Sequence, residues 1–99
     1  MTKLRLLPPG VIPRFPLGNV VMTAEAFKRL EIEDVSDALA RHCQCDWGEV
    51  CSPDWDWNNQ SLDTGDRLLS VYRDRDETTF WIITEADRSA TTVLLPDDY

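Results

Sequence analysis

The spacing of apolar residues along this 99-residue chain changes from a helical pattern to a strand pattern. Within "NVVMT", the residues Asn19 to Met22 predict a short strand, and Thr23 is a typical N-cap for a helix over residues 24–30. An acidic connection follows at residues 31–34. Apolar residues at helical spacing then predict a second helix over residues 35–43.

A third helix and three strands are predicted for the second half of the chain. Ser52-Pro53 combines an N-cap with a proline at the first helical position, and Gly65 is a typical C-terminal cap. Three runs rich in β-branched and aromatic residues follow, separated by short polar turns: residues 67–73, 78–85 and 90–96. These elements predict an α+β fold, with about three short helices packed on one face of a three- to four-stranded antiparallel sheet. The strand at residues 19–22 would join that sheet at an edge.

The first 17 residues differ from the rest because they hold four of the six prolines. Each proline lacks the backbone N–H that a helix or a central strand needs, so residues 1–17 are predicted to form an extended arm. The apolar residues between the prolines indicate that part of the arm lies against the domain or a partner. Residues 18–99 are enough for a single domain with one modest core.

The composition is that of a folded protein, and the charge is acidic. The net charge of −8 argues against direct binding of nucleic acid and favours basic partners. Five acidic residues and no Lys or Arg lie between Asp46 and Gly65, which is also the pattern of an ordinary solvated helix face. Neither a membrane-spanning run nor a secretory signal is recognisable, so a cytoplasmic location is expected.

The stretch "RHCQCDWGEVC" holds the only histidine and all three cysteines of the chain, and it predicts a structural zinc site. Thiolate and imidazole are the donors that zinc prefers, and four of them are close together here: His42, Cys43, Cys45 and Cys51. The spacing is irregular, so the alternative is a site with three of the four donors and Asp46, Asp54 or water as the fourth ligand. The alternative is that the cysteines are small buried hydrophobic residues.

The same stretch offers a cysteine nucleophile, in which Cys45 or Cys51 would pair with His42. No orienting group or oxyanion loop is recognisable beside it. The sequence therefore predicts that the protein is not an enzyme.

Two stretches are candidates for binding a protein partner. The first is the acidic, Trp-rich segment, with Asp46, Trp47, Asp54, Trp55, Asp56 and Trp57. Trp55 and Trp57 would lie about 200 degrees apart on a helix, so one of them is predicted to be a surface anchor. The second is the turn with Glu85, Asp87 and Arg88, for which a turn stabilised by its own hydrogen bonds is the alternative.

From residue 18 to residue 99 the chain resembles a family of small acidic bacterial proteins found on plasmids, prophages and phages. Its members are often named "plasmid-related protein" or "type I restriction endonuclease subunit M". The segment "WIITEADRSATTVLLP" carries the most specific part of the resemblance. The matching positions are His42, Asp46, Trp47, Gly48, Cys51, Asn59, Gly65, Arg67, Ser70, Tyr72, Trp81, Thr84, Glu85, Asp87, Arg88, Ser89, Thr91, Thr92 and Tyr99. Cys43 and Cys45 depart from the pattern, and the resemblance brings no catalytic role.

The resemblance and the acidic charge together favour one function. We expect a non-enzymatic inhibitor from a mobile element or phage, acting on a nucleic-acid-handling bacterial defence complex of the CRISPR or restriction type. Its partner would be a basic protein surface rather than nucleic acid or a membrane. The alternative is an accessory or regulatory protein of plasmid or phage maintenance that binds a host protein through the turn at residues 85–89.

Overall fold

The structure is a computed structural model that describes residues 2–3 and 7–99, with side chains from residue 7 onward. The elements along the chain are β1 (Thr2–Lys3), β2 (Asn19–Met22), α1 (Ala24–Arg29), α2 (Ile32–Cys43), α3 (Ser52–Thr64), β3 (Leu68–Arg73), β4 (Thr79–Thr84), β5 (Ala90–Leu94) and a 3₁₀ turn (Pro96–Asp98). The predicted α+β class is confirmed. No helix within the described residues is long and apolar enough to cross a membrane.

The sheet has the strand order β1-β2-β5-β4-β3. β3, β4 and β5 form the predicted antiparallel meander, and the four longer strands form a mixed, mostly antiparallel sheet. β2 pairs with β5 in parallel, which corrects the prediction of a purely antiparallel sheet. The two residues of β1 pair with β2 from its outer side and were not predicted as a strand.

The predicted helices all form, with small shifts at their starts. Thr23 caps α1 by accepting a hydrogen bond from the N–H of Ala26. α2 begins at Ile32 rather than residue 35, because Glu33 and Asp34 stand in its first turn, where carboxylates favour a helix. The N-cap of α3 is Cys51 rather than Ser52, and its predicted end is confirmed by Gly65, which adopts a left-handed φ of 79°.

The core has two parts on the side of the sheet that faces α1 and α2. The main cluster joins both helices to the strands, through Met22, Ala26, Leu30, Val35, Ala38, Leu39, Tyr72, Phe80, Ile82, Val93 and Leu95. The second cluster consists of Phe15, Leu17, Cys43, Trp47 and Leu68. Two residues of the predicted arm therefore belong to the core.

α3 lies along the open edge of β3, which corrects the prediction that all three helices pack on one face. The amide side chain of Asn58 donates to the carbonyl of Leu69 at 2.7 Å and accepts from the Leu69 N–H at 3.1 Å. Further along the edge, Gly48 forms a parallel bridge with Val71, and a Cβ at Gly48 would lie 2.0 Å from the Val71 carbonyl oxygen. The Asn58 side chain and the loop at Gly48 thus cover backbone N–H and C=O groups of β3 that an edge strand would otherwise expose.

Candidate functional site

His42 lies on the inner face of α2 and is fully buried. Its Nδ1 is 2.6 Å from the hydroxyl of Ser70, and its Nε2 is 2.9 Å from the hydroxyl of Thr84. The rings of Phe15 and Trp47 contact the imidazole edge to face, with centroid distances of 5.4 and 5.5 Å. Both ring nitrogens therefore have partners inside the fold.

The hydrogen bonds around His42 form a chain with a defined direction. The Thr91 hydroxyl donates to the carbonyl of Leu17 at 2.7 Å, so it must accept from the Thr84 hydroxyl, 2.8 Å away. Thr84 has then used its only hydrogen and must accept from Nε2–H of His42. In a neutral imidazole, which carries a single N–H, that proton is then on Nε2, and Nδ1 accepts from the Ser70 hydroxyl. Each polar atom of this hydrogen-bond chain has a partner.

The burial of His42 is consistent with a neutral imidazole. The apolar surroundings, and to a smaller extent the charge of Arg88, lower the pKa of His42 from 6.5 to about 3. A neutral imidazole with both nitrogens bonded has no lone pair left for a metal ion or a substrate proton.

The predicted zinc ligands are not brought together. His42 faces the sheet, the Cys43 thiol is buried and donates to the Ala40 carbonyl, and Cys51 is exposed at the start of α3. Within residues 2–3 and 7–99, no group of three or more His, Cys, Asp or Glu side chains is arranged to hold a metal ion. The four donors do not fit a tetrahedral site in this fold, because His42 is fully occupied and the thiols point to different surroundings.

The predicted thiolate–imidazole pair is also not formed. His42 bonds to Ser70 and Thr84 rather than to a cysteine. Burial raises the pKa of Cys43 and that of Cys45, which favours the protonated, poorly nucleophilic thiol. Cys43 instead matches the alternative reading, as a small residue of the second core cluster.

All three candidate side chains of the turn after β4 make contacts within the chain. Arg88 donates to the carbonyls of Ser61, Asp66 and Glu85 at 2.7–3.1 Å, and so holds the end of α3 against the turn. Glu85 forms an ion pair with Arg67 at 3.4 Å. Asp87 accepts from the N–H of Ser89 at 3.0 Å, and the side chain of Ser89 together with this N–H lowers the pKa of the Asp87 carboxyl. These contacts agree with the alternative given for this segment, a turn stabilised by its own hydrogen bonds.

Asp46 is partly exposed but paired within the chain, and Trp47 is buried. Arg41 binds the Asp46 carboxylate at 2.8 Å and lowers its pKa. Trp47 is fully buried, and its indole N–H donates to Asn59 at 3.0 Å, so the prediction that Trp47 contacts a partner is wrong. The side chain faces inward because the loop at Gly48 turns the chain back against β3.

The exposed residues of α3 are different, because the acidic ones have no basic partner in the described part of the chain. We call Asp54, Asp56, Trp57 and Asp63 the α3 surface. Among the described residues no Lys, Arg or His pairs with any of its three carboxylates, whereas Asp46 and Glu49 are bound by Arg41 and Arg73. The charge of the α3 surface is therefore not neutralised within the described part of the chain.

The two tryptophans of α3 have opposite environments, as their spacing predicts. Trp55 is partly buried and packs against the second core cluster. Trp57 is 59% exposed. It lines a shallow cavity of about 420 Å³ together with Asp54, Asn58, Asp66, Arg67 and Leu69, which we call the Trp57 hollow.

Four residues of this hollow were not predicted from the sequence as partner-binding residues: Asn58, Asp66, Arg67 and Leu69. Asp66 and Arg67 precede β3, Leu69 belongs to it, and Asn58 is buried on α3. Arg67 also contacts the hydroxyl of Tyr99 at 2.5 Å, and the Tyr99 ring packs edge to face on Trp81. The available signal was the alternation of β3, which places Arg67, Leu69 and Val71 on the face opposite the main core.

Comparison with protein-family models, with curated proteins and with solved structures found no match to this chain.

Proposed function

We propose that this chain is a non-enzymatic protein-binding inhibitor whose α3 surface binds a basic protein surface of a nucleic-acid-handling complex. The exposed Trp57, which lines a hollow together with the unpaired carboxylate of Asp54, is the observation that carries this proposal. A tryptophan exposed to this extent leaves apolar area in water, and burying it against a partner is favourable. The neighbouring carboxylates select a partner of opposite charge.

Two features support a binding role over a catalytic one: the internal use of the reactive side chains and the acidic net charge. The groups that could do chemistry, His42 and the buried thiols, are used in packing and internal hydrogen bonds. The net charge of −8 gives the whole molecule a field that attracts basic surfaces and repels nucleic acid. Basic grooves are characteristic of proteins that hold nucleic acid, because phosphate contacts need Lys and Arg.

The resemblance to plasmid and phage proteins adds the biological setting. Inhibitors carried by such elements act on bacterial defence complexes, so a CRISPR effector or a restriction enzyme is the target class that we favour. The turn at residues 85–89, which the accessory-protein alternative needs, has fewer free groups to offer, because Glu85 and Arg88 bind within the chain.

The experiment is affinity capture from a bacterial lysate that contains such a complex, followed by mass spectrometry. The immobilised chain is compared with Asp56→Asn/Asp63→Asn, which removes two charges from the α3 surface. We expect wild type to retain a basic nucleic-acid-binding protein at 50 mM salt and to release most of it at 300 mM, because exposed charge pairs are screened. The charge variant should retain about fivefold less.

The capture has a functional readout as well. The captured protein should lose its binding of nucleic acid when the chain is added in excess. Retention that is unchanged by salt and by the charge variant would contradict electrostatic recognition, and an acidic captured protein would contradict the target class.

A further inference from the structure

We infer that the Trp57 hollow is the site for one arginine side chain of the partner. This inference rests on the proposed function and deepens it, because it names the group that the α3 surface recognises. The hollow is the place where exposed aromatic, apolar and acidic groups meet: the indole of Trp57, the side chain of Leu69, and the carboxylates of Asp54 and Asp66.

The shape and lining of the hollow suit a long, flat cation. Its volume of about 420 Å³ is enough for a side chain with four or more heavy atoms in its stem and a planar head. An indole face attracts a guanidinium, which stacks on it and is weakly hydrated. Leu69 offers apolar surface to the methylene stem.

The charges that line the hollow leave room for an added cation. Asp54 has no basic partner in the described residues. The Asp66 carboxylate accepts from the hydroxyl of Thr64 at 2.8 Å, and Arg88 donates to the backbone carbonyl of Asp66 rather than to its carboxylate. Arg67 is the one cation among the residues that line the hollow, and it is already bound to Glu85 and to the Tyr99 hydroxyl. Two carboxylates therefore stand beside the indole without a cation of their own.

The rigid wall of the hollow makes the site preformed. Asn58 is buried beneath it and fixes α3 to β3 through two hydrogen bonds with the backbone of Leu69. The spacing between Trp57 on the helix and Leu69 on the strand is thus held by the fold, which reduces the entropy lost on binding.

The test is an NMR titration of the folded protein with acetyl-Gly-Arg-Gly-amide at low salt. Peptides with citrulline or lysine in place of arginine are the matched ligands. We expect the arginine peptide to shift the Trp57 indole N–H, the Asn58 side-chain amide and the Leu69 amide, with a Kd of about 1–10 mM. The lysine peptide should bind about threefold more weakly and the neutral citrulline peptide about tenfold more weakly.

Two variants with the same change of charge locate the site. Asp54→Asn/Asp66→Asn should weaken binding of the arginine peptide about fivefold. Asp37→Asn/Asp76→Asn changes two exposed carboxylates that lie outside α3 and do not line the hollow, and it should weaken binding less than about twofold. Trp57→Ala should remove the shifts at Asn58 and Leu69. Equal effects of the two double variants, or shifts confined to other surfaces, would overturn the inference.

The two proposals fail separately. Capture of a basic partner that is unaffected by Asp54→Asn/Asp66→Asn would overturn the arginine site and leave the proposed function standing. Specific shifts with the arginine peptide, together with no capture of a basic protein, would overturn the proposed function alone.

Discussion

His42 and Trp57 each occupy a position that is unusual for the residue type. Histidine is commonly at least partly exposed, but His42 is fully buried, whereas the large apolar Trp57 is 59% exposed. Around His42 every polar atom has a partner, in a chain that ends at the Leu17 carbonyl. Around Trp57 the carboxylates lack a basic partner among the described residues, and the apolar surface faces solvent.

The two residues therefore have different roles in this fold. A buried polar residue whose hydrogen bonds are all satisfied contributes to stability and specifies the packing. An exposed aromatic residue with unsatisfied charges beside it contributes little to stability and is available for a partner. His42 and Cys43 are therefore used inside the fold, and the neighbouring helix α3 is where we propose that a partner binds.

The largest effect on stability is expected from His42→Ala. It removes a ring between Phe15 and Trp47 and leaves the hydroxyls of Ser70 and Thr84 without their partner, at a cost of about 3–5 kcal/mol. Trp57→Ala should cost less than about 1 kcal/mol, because the side chain is largely exposed. Urea denaturation of the two variants measures both free energies of unfolding. Similar losses of stability would contradict the claim that His42 stabilises the fold and Trp57 does not.

A smaller loss is expected from Thr84→Val, which keeps the shape of the side chain but removes the acceptor of the His42 Nε2–H bond. The free energy of unfolding should fall by about 2 kcal/mol, since a buried donor is left unpaired. Thr92→Val, on the neighbouring strand β5 and only partly buried, is the matched control and should change it by less than about 0.5 kcal/mol. Equal losses of unfolding free energy in the two variants would show that the hydrogen bond between His42 and Thr84 does not contribute to stability.

The pH dependence follows from the lowered pKa of His42. The unfolded chain takes up a proton near pH 6.5, whereas the folded chain does so only near pH 3, so stability is complete above about pH 6.5 and falls as the pH drops below it. Between pH 7.5 and pH 5.5 the loss should be about 1.4 kcal/mol. Calorimetry at the two pH values measures it.

NMR of the imidazole gives an independent check of this pH range, because His42 is the only histidine. Its resonances in the folded protein should not titrate between pH 7.5 and pH 5, and its ¹⁵N shifts should show the proton on Nε2. A titration midpoint near 6.5 would contradict the buried, neutral state.

The smallest effect is expected from removing metal. Because both nitrogens of His42 are bonded within the protein, a chelator should leave the melting temperature within about 1 °C of its starting value. Metal analysis of protein purified without a histidine tag should find well below one zinc per chain. Stoichiometric zinc whose removal lowers the melting temperature would show that the region around Cys51 rearranges to bind it.

The sequence predicted the fold better than the site, for physical reasons. Local patterns specify the helices and the meander, as in the Thr23 and Gly65 caps and the runs of β3 to β5. The network of His42 needs partners 28 and 42 residues away, and nothing in the local pattern identifies Ser70 or Thr84 as those partners.

The three tryptophans show the same limit. The opposite environments of Trp55 and Trp57 followed from helical geometry, because both lie on one regular element. Trp47 lies in a loop, where the turn at Gly48 and its bridge to Val71 decide the direction of the side chain. The hollow beside Trp57 was not predictable, because it depends on how α3 is placed along the edge of β3.

The most direct test of the central claim is the amount of a basic partner captured by Trp57→Ala relative to wild type. Phe27→Ala is the matched control, because Phe27 is another exposed aromatic residue, 51% exposed on α1. If Trp57 is the anchor of the interface, its loss should lower the affinity by about 30-fold and the captured amount accordingly, while Phe27→Ala captures as much as wild type. Equal capture by all three proteins would contradict the account.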